Sequence, residues 1–192
     1  IRNYFDQFVS LRPIKLLPTV ESPLASKTNN EIDFTVIREN TEDFYVGASG
    51  RANNGKNKHQ LEINKSAYKV KFGLNIEAKG SEIAYQIGIL SKKGCERVIR
   101  YAFEYAKRKN KKKITAIDKA NIIDSYTFWR ESVDKIAKEY PSIEYEFNLI
   151  DAAVMNFIRQ PEKYEVIVAP NMFGDILGDL GTMLQGGLAF AA

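Results

Sequence analysis

Tyr164-Glu-Val-Ile-Val-Ala-Pro-Asn-Met-Phe-Gly-Asp-Ile-Leu-Gly-Asp179 holds a strand, a turn and two carboxylates in one stretch. Val166, Ile167 and Val168 form a short β-branched apolar run that suits a strand covered on both faces. Pro170 then ends the ladder, because it has no N–H to give. Asn171 is placed to cap a helix beginning near Phe173, on which Asp175 and Asp179, four apart, project from one face close to its N-terminus. Two neighbouring anions repel unless something positive lies between them. The plain reading assigns that to the helix dipole, worth about 0.3–1 kcal/mol. The sharper reading is a site for Mg²⁺ or Mn²⁺, which take oxygen ligands with room for water, room that Gly174 and Gly178 leave.

Other strands end in the same manner. Ile32 to Ile37 reads as a strand that delivers Arg38, Glu39 and Asn40 at its far end, and Ile114 to Ile117 as one ending in Asp118 and Lys119. Tyr145 to Ile150 ends at Asp151, which opens the helix Ala152 to Arg159. Ser91 caps a helix with the apolar stripe Cys95, Val98, Ile99, Ala102, Phe103 and Ala106, and Ser125 caps another built on Trp129, Val133, Ile136 and Ala137. Strands alternate with helices, so the fold class is α/β, where ligands bind beyond the carboxyl ends of the strands. Arg38, Lys119, Asp151 and the Asn171 to Asp179 turn are thereby expected in one cleft. No glycine-rich GxGxxG loop precedes a helix, and His59, the one histidine, falls in a polar loop where it reads as solvated. Lysine, tyrosine and a metal remain for acid–base chemistry.

The intervening segments are less regular. Tyr4, Phe5, Phe8, Val9 and Leu11 recur with helix-like spacing, which predicts a helix ending near Ser10 before Pro13 biases Arg12 toward an extended conformation. Gly47 to Lys58 is polar and rich in Gly and Asn, so a mobile loop is expected. Tyr68, Val70 and Phe72 alternate with Lys69 and Lys71, as on a strand with one wet face, and Ile83 to Leu90 is another apolar run. Together these strands read as an arm, too short for a domain.

With 192 residues, 44% hydrophobic and 27% charged, the chain belongs with ordinary globular proteins of one or two domains. No apolar run approaches the length of a membrane span and the polar start lacks the apolar core of a signal peptide, so no membrane partner and a cytoplasmic location are expected. A single cysteine, Cys95, excludes an internal disulfide and a cysteine-rich zinc site. The net charge of +4 suits small anionic ligands. The basic run from Lys107 to Lys113 has no interleaved aromatics and reads as a solvated helix end, so no nucleic-acid partner is expected. Opening on Ile1 and stopping at Ala192 within a small, apolar stretch, the chain reads as cut from something longer.

Arg2, Leu11-Arg12-Pro13, Arg38-Glu-Asn-Thr-Glu-Asp-Phe-Tyr45, Lys119-Ala-Asn121, the Asp151 helix start and Asn171-Met-Phe-Gly-Asp-Ile-Leu-Gly-Asp179 resemble, in order and over essentially the whole chain, the isocitrate and isopropylmalate dehydrogenase family of metal-dependent β-decarboxylating dehydrogenases. Arg38-Glu-Asn-Thr-Glu resembles the isocitrate and homoisocitrate members more than the isopropylmalate ones. The resemblance implies NAD(P)-dependent oxidative decarboxylation of a 2-hydroxy di- or tricarboxylate, with isocitrate to 2-oxoglutarate preferred and homoisocitrate, isopropylmalate, tartrate or malate as alternatives. A non-catalytic regulatory subunit is the other alternative, and the presence of Tyr45, Lys119, Asp175 and Asp179 argues against it.

Residue by residue, the resemblance implies that Arg2, Arg12 and Arg38 grip substrate carboxylates and that Asp151, Asp175 and Asp179 hold Mg²⁺ or Mn²⁺. It implies that Lys119 deprotonates the hydroxyl and Tyr45 returns a proton to the carbon that lost CO₂, both also touching substrate. Asn121 is the one contact it implies for NAD or NADP. Asp118 stands where many relatives carry histidine, a departure that bears on how Lys119 is poised. The groups that select substrate and nucleotide lie, in the family, upstream of Arg2 and downstream of Ala192, so the fragment alone is expected to be inactive. The implied fold is that family's smaller α/β domain, 8–42 and 85–185, with an arm at 43–84 and edges of a larger domain at 1–7 and 186–192. A homodimer is implied, with possible higher assembly, in which the arms pair and Lys119 and Asp151 reach into the partner's site.

Overall fold

The computed structural model describes residues 4–24 and 27–187. Arg2, like 188–192, lies outside the described residues. The main sheet contains β1 (Val9–Lys15), β2 (Asp33–Glu39), β7 (Lys113–Asp118), β8 (Glu144–Leu149) and β9 (Val166–Ala169) in the order β1-β2-β9-β7-β8. Only β1 runs antiparallel to its neighbour; β2, β9, β7 and β8 are mutually parallel. All four residues of β9 are buried, as its β-branched run requires of a central strand covered on both faces.

Four helices cover the sheet: α1 (Lys92–Arg108), α2 (Ser125–Ala137), α3 (Ile150–Arg159) and α4 (Asn171–Leu184). Alternation along β2 assigns them to two faces. Thr35 shares a hydrogen bond with Tyr105 of α1 (3.1 Å), while Phe34, one residue away, meets Phe157 of α3 edge-on with ring centroids 4.9 Å apart. The core between the layers is aromatic and β-branched, with Trp129, Phe103, Phe34 and Phe157 fully buried, and Cys95 sits inside it as its place on the α1 stripe predicts.

The remaining strands form two narrow ribbons. β3 (Asp43–Ala52) pairs antiparallel with β6 (Ile83–Ile89), and β4 (Gly55–Asn64) with β5 (Lys69–Ala78). The mobile loop expected over Gly47 to Lys58 is therefore mostly strand. Its polarity belongs to ribbons whose residues alternate between an exposed and a half-buried face, and Gly47, at φ 82°, sits in the register shift between Asp43 and Ala48. His59 lies on β4, half-buried, with Nδ1 2.5 Å from the Tyr85 hydroxyl, so it is not simply solvated.

The helix expected up to Ser10 is also absent: Val9 already begins β1, and Tyr4 and Phe5 are exposed. Pairing of Leu11 with Ile37 and Ile14 with Phe34 overrides the short helical spacing, and Pro13 is tolerated because β1 is an edge strand. Ser91 caps α1 as expected, its hydroxyl accepting the Gly94 N–H at 3.0 Å. Ser125 and Asn171 do not cap. Asp124 and Pro170 occupy those positions without a side-chain bond, and α4 begins two residues before Phe173. Among the described residues no helix is long and apolar enough to cross a membrane.

Candidate active site

Arg12 stands opposite Val36 and Arg38 opposite Ser10 in the β1–β2 pair, so the two arginines are diagonal neighbours on one face of the sheet. α4 lies directly over that face. A Cβ added at Gly174 would lie 2.6 Å from the Arg38 Cβ, one at Gly178 3.0 Å from the Arg12 Cδ, and one at Gly181 2.8 Å from the Ile14 Cγ1. These glycines form one row of the helix, and what they make room for is the stem of Arg38, the far end of Arg12 and the Ile14 side chain as much as any ligand.

The close approach brings each arginine against an acid of α4. Arg12 Nη1 donates to Asp179 and Arg38 Nη1 to Asp175. The Arg38 side chain is only 5% exposed, a position in which a cation must be paired. Asn171 completes its surroundings: Oδ1 accepts from Arg38 Nε at 2.9 Å and Nη2 at 2.7 Å, and Nδ2 donates to the Glu42 carbonyl at 3.1 Å. Tyr45 donates its hydroxyl to Asp175 at 3.2 Å, with the Arg38 guanidinium 5.6 Å from its ring centre. Partial burial, followed by the Asp175 carboxylate, pushes the Tyr45 phenol up despite Arg38. A lowered phenol, which proton transfer at neutral pH would favour, is not what this arrangement produces. Beside the arginines is a cavity of about 500 Å³ lined by Gln7, Ser10, Arg12, Arg38, Asn40 and Tyr101, in the size range of small-molecule sites.

Lys119 and Asp151 form a second group, at the ends of β7 and β8, where Lys119 Nζ donates to Asp151 at 2.5 Å and that bond lowers the Asp151 carboxyl. Asp118 is buried and accepts from Arg130 Nε (2.6 Å) and Nη2 (2.9 Å) and from the Ala120 N–H (2.9 Å), so it shapes the turn under Lys119. Asn121 is exposed in that turn. Among the described residues no three His, Cys, Asp or Glu side chains are grouped to hold a metal. Among the described residues Asp151 is thus not grouped with Asp175 and Asp179 within one chain, and Lys119 is bonded to Asp151. β9 lies between β2 and β7, an order no local pattern encodes.

Three further acids hold the site without lining it. Glu39 accepts from the N–H groups of Thr41 (2.9 Å) and Glu42 (2.7 Å). Glu42 accepts from Ser91 N (2.8 Å) and Oγ (2.5 Å) at the start of α1. Asp43 accepts from Met172 N (2.9 Å) at the start of α4 and from the Tyr126 hydroxyl (2.9 Å). The run Arg38 to Asp43 thus ties β2 to the N-termini of helices on both faces, where the dipole favours anions. Burial pushes the Glu39 and Asp43 carboxyls up, and Glu42 up to about 7. The signal in the sequence was three acids in a segment headed for the interior.

Arg12 and Arg38, facing Asp179 and Asp175 across one sheet face, belong to an α/β protein whose charged side chains gather toward one edge of its mostly parallel sheet. The family model for isocitrate/isopropylmalate dehydrogenase matches residues 1–192, and the chain belongs to that family. It is 38% identical to the D-malate dehydrogenase [decarboxylating] of Escherichia coli (strain K12), covering 99% of this chain and 46% of that protein. It is 36% identical to a 3-isopropylmalate dehydrogenase of Streptomyces griseus over 100% of this chain and 48% of that one. A crystal structure of isocitrate dehydrogenase from Methylococcus capsulatus superposes with a TM-score of 0.78 at 33% identity, covering all of this chain and 48% of that chain. The chain spans about half the length of the curated relatives it matches.

Proposed function

We propose that the protein containing this chain is an NAD(P)-dependent oxidative decarboxylase of a 2-hydroxy di- or tricarboxylate. The observation that carries the reading is Arg12 and Arg38 on one sheet face, each against an aspartate of α4, with Tyr45 on Asp175. Arg12 and Arg38 bind substrate carboxylates, since a guanidinium fork matches a carboxylate and stays charged. Arg2 is assigned the same role from the family resemblance alone. Lys119 moves the proton of the 2-hydroxyl. Tyr45 supplies the proton to the carbon that loses CO₂, its hydroxyl held on Asp175 at 3.2 Å.

The residues fit a divalent ion in donor chemistry: Asp175 and Asp179 offer carboxylate oxygens from one helix face, 34% and 60% exposed. Asp151, apart from them in one chain, joins this set from a second copy, and Lys119 comes with it. We read 8–42 and 85–185 as the smaller domain and 43–84 as the arm that meets its counterpart in a homodimer. Asp175 and Asp179, with Asp151 of a second copy, would hold Mg²⁺ or Mn²⁺, which would supply charge stabilisation for the decarboxylation, and Asn121 would stand beside NAD or NADP, which would supply the hydride acceptor.

Isocitrate is the substrate favoured by Arg38-Glu-Asn-Thr-Glu. D-malate or 3-isopropylmalate is the second reading, favoured by the names of the sequence relatives. The test is turnover by the full-length protein with isocitrate, homoisocitrate, 3-isopropylmalate, D-malate and tartrate, with each nicotinamide and Mn²⁺, read as reduced nicotinamide. No turnover with any pair overturns the proposal.

A further inference from the structure

Asn171 is 1% exposed and spends both ends of its amide on this site, holding Arg38 through Oδ1 and the Glu42 carbonyl through Nδ2. It is not the helix cap, a position that falls to Pro170, while the Met172 N–H is taken by Asp43. A buried asparagine with no cap to make needs another reason to stand at the first position of α4, where several apolar residues would pack. Its partner supplies one. Arg38 Nη1 already faces the Asp175 carboxylate, so a second carboxylate on Nε and Nη2 would leave the group with an excess negative charge and repel an anionic ligand. A neutral amide oxygen satisfies the same two donors and adds no negative charge.

We propose that Asn171 is a positioning residue for the ligand carboxylate: a neutral clamp that fixes the plane of the Arg38 guanidinium without setting a second anion against it. The Glu42 carbonyl orients the clamp, because accepting Nδ2–H decides which end of the amide faces Arg38. The same contacts tie the clamp to β2 and to the start of α4, so the guanidinium plane is set by the main fold and not by ligand.

The inference rests on the proposed carboxylate site, and the experiment separates the two. Binding of the unreactive dicarboxylate malonate to the full-length protein with Mn²⁺ is measured by calorimetry for wild type, Arg38→Gln, Asn171→Asp and Asn171→Ala, each also followed by thermal unfolding. Asn171→Asp keeps both bonds to Arg38 but turns a carboxylate oxygen toward the Glu42 carbonyl in place of the Nδ2 donor, so it is expected to melt somewhat lower than wild type and to bind malonate about tenfold to a hundredfold more weakly, the loss of one charge-assisted contact. Asn171→Ala is expected to lose affinity to a similar extent and to melt lower, and in turnover both variants are expected to raise KM more than they lower kcat. Malonate binding at wild-type strength by whichever of the two variants folds overturns the clamp. Failure of wild type to bind malonate, or binding unaffected by Arg38→Gln, overturns the carboxylate site itself.

Discussion

Asp43 and Met172 are joined across 129 residues of chain: the Asp43 carboxylate accepts the Met172 N–H at 2.9 Å, so α4 is capped by the first residue of β3. The same carboxylate takes the Tyr126 hydroxyl, also at 2.9 Å. Asp43→Ala strips the cap and leaves a buried phenol without that partner. Urea unfolding is expected to show a loss of about 1–3 kcal/mol, with Asp43→Asn recovering part of it through its amide oxygen. Equal stability of the alanine variant and wild type would remove Asp43 from the account of α4.

Glu42 gives stability a pH dependence of definite sign. Burial raises its folded carboxyl from 4.5 to about 7, so between those values the folded protein keeps a proton that the unfolded chain has released. The Glu42 contribution therefore falls as pH rises through that window and is level above it. Glu42→Gln retains an acceptor for Ser91 and carries no charge. Denaturation midpoints across the window are expected to decline less with pH in the variant; parallel curves would show that Glu42 does not titrate there.

Gly174 and Gly178 separate two effects that alanine brings to a helix. Each gains about 1 kcal/mol in propensity. At Gly178 the new methyl meets the flexible end of Arg12, whereas at Gly174 it meets the Arg38 Cβ at 2.6 Å and its backbone Cα at 3.1 Å. Gly174→Ala is expected to destabilise by about 1–3 kcal/mol through overpacking, and Gly178→Ala to be nearer neutral. The reverse order in thermal unfolding would mean that α4 lifts from β2 at little cost.

Separation of Lys119 and Asp151 from Tyr45, Asp175 and Asp179 predicts complementation between inactive dimers. Full-length Lys119→Met and Tyr45→Phe proteins are each expected to be severely impaired. Dissociated, mixed and reassociated, they are expected to recover roughly a quarter of wild-type turnover, because half the dimers contain one site with neither lesion under two-fold symmetry. No recovery, with subunit exchange verified by mass, would return Lys119 to its own chain's site.

What the sequence made legible was whatever local chemistry decides. Val166 to Pro170 could only be a buried strand and its end, the spacing of Asp175 and Asp179 places them on one helix face, and the α1 stripe follows the helical period. β1 was hidden by helix-like spacing in a strand with one paired edge, and β3 and β4 by the Gly- and Asn-rich composition around the turn between them. The partners of Asn171, Glu42 and Asp43 lie 49 to 133 residues away, beyond any periodicity. Asn171 in particular had the composition of a cap and the position of one, and only the approach of Arg38 gives it other work.

The four residues of β9 also govern the order in which the sheet is completed. Thr35 and Ile114 both pair with Val166, so the last strand along the described chain is the middle strand in space. Until it is synthesised, β2 and β7 face each other with unsatisfied backbone edges, and closure joins segments separated by most of the chain. A chain truncated before Val166 is expected to leave β1–β2 and β7–β8 without the strand that joins them, their flanks open to pairing with other chains.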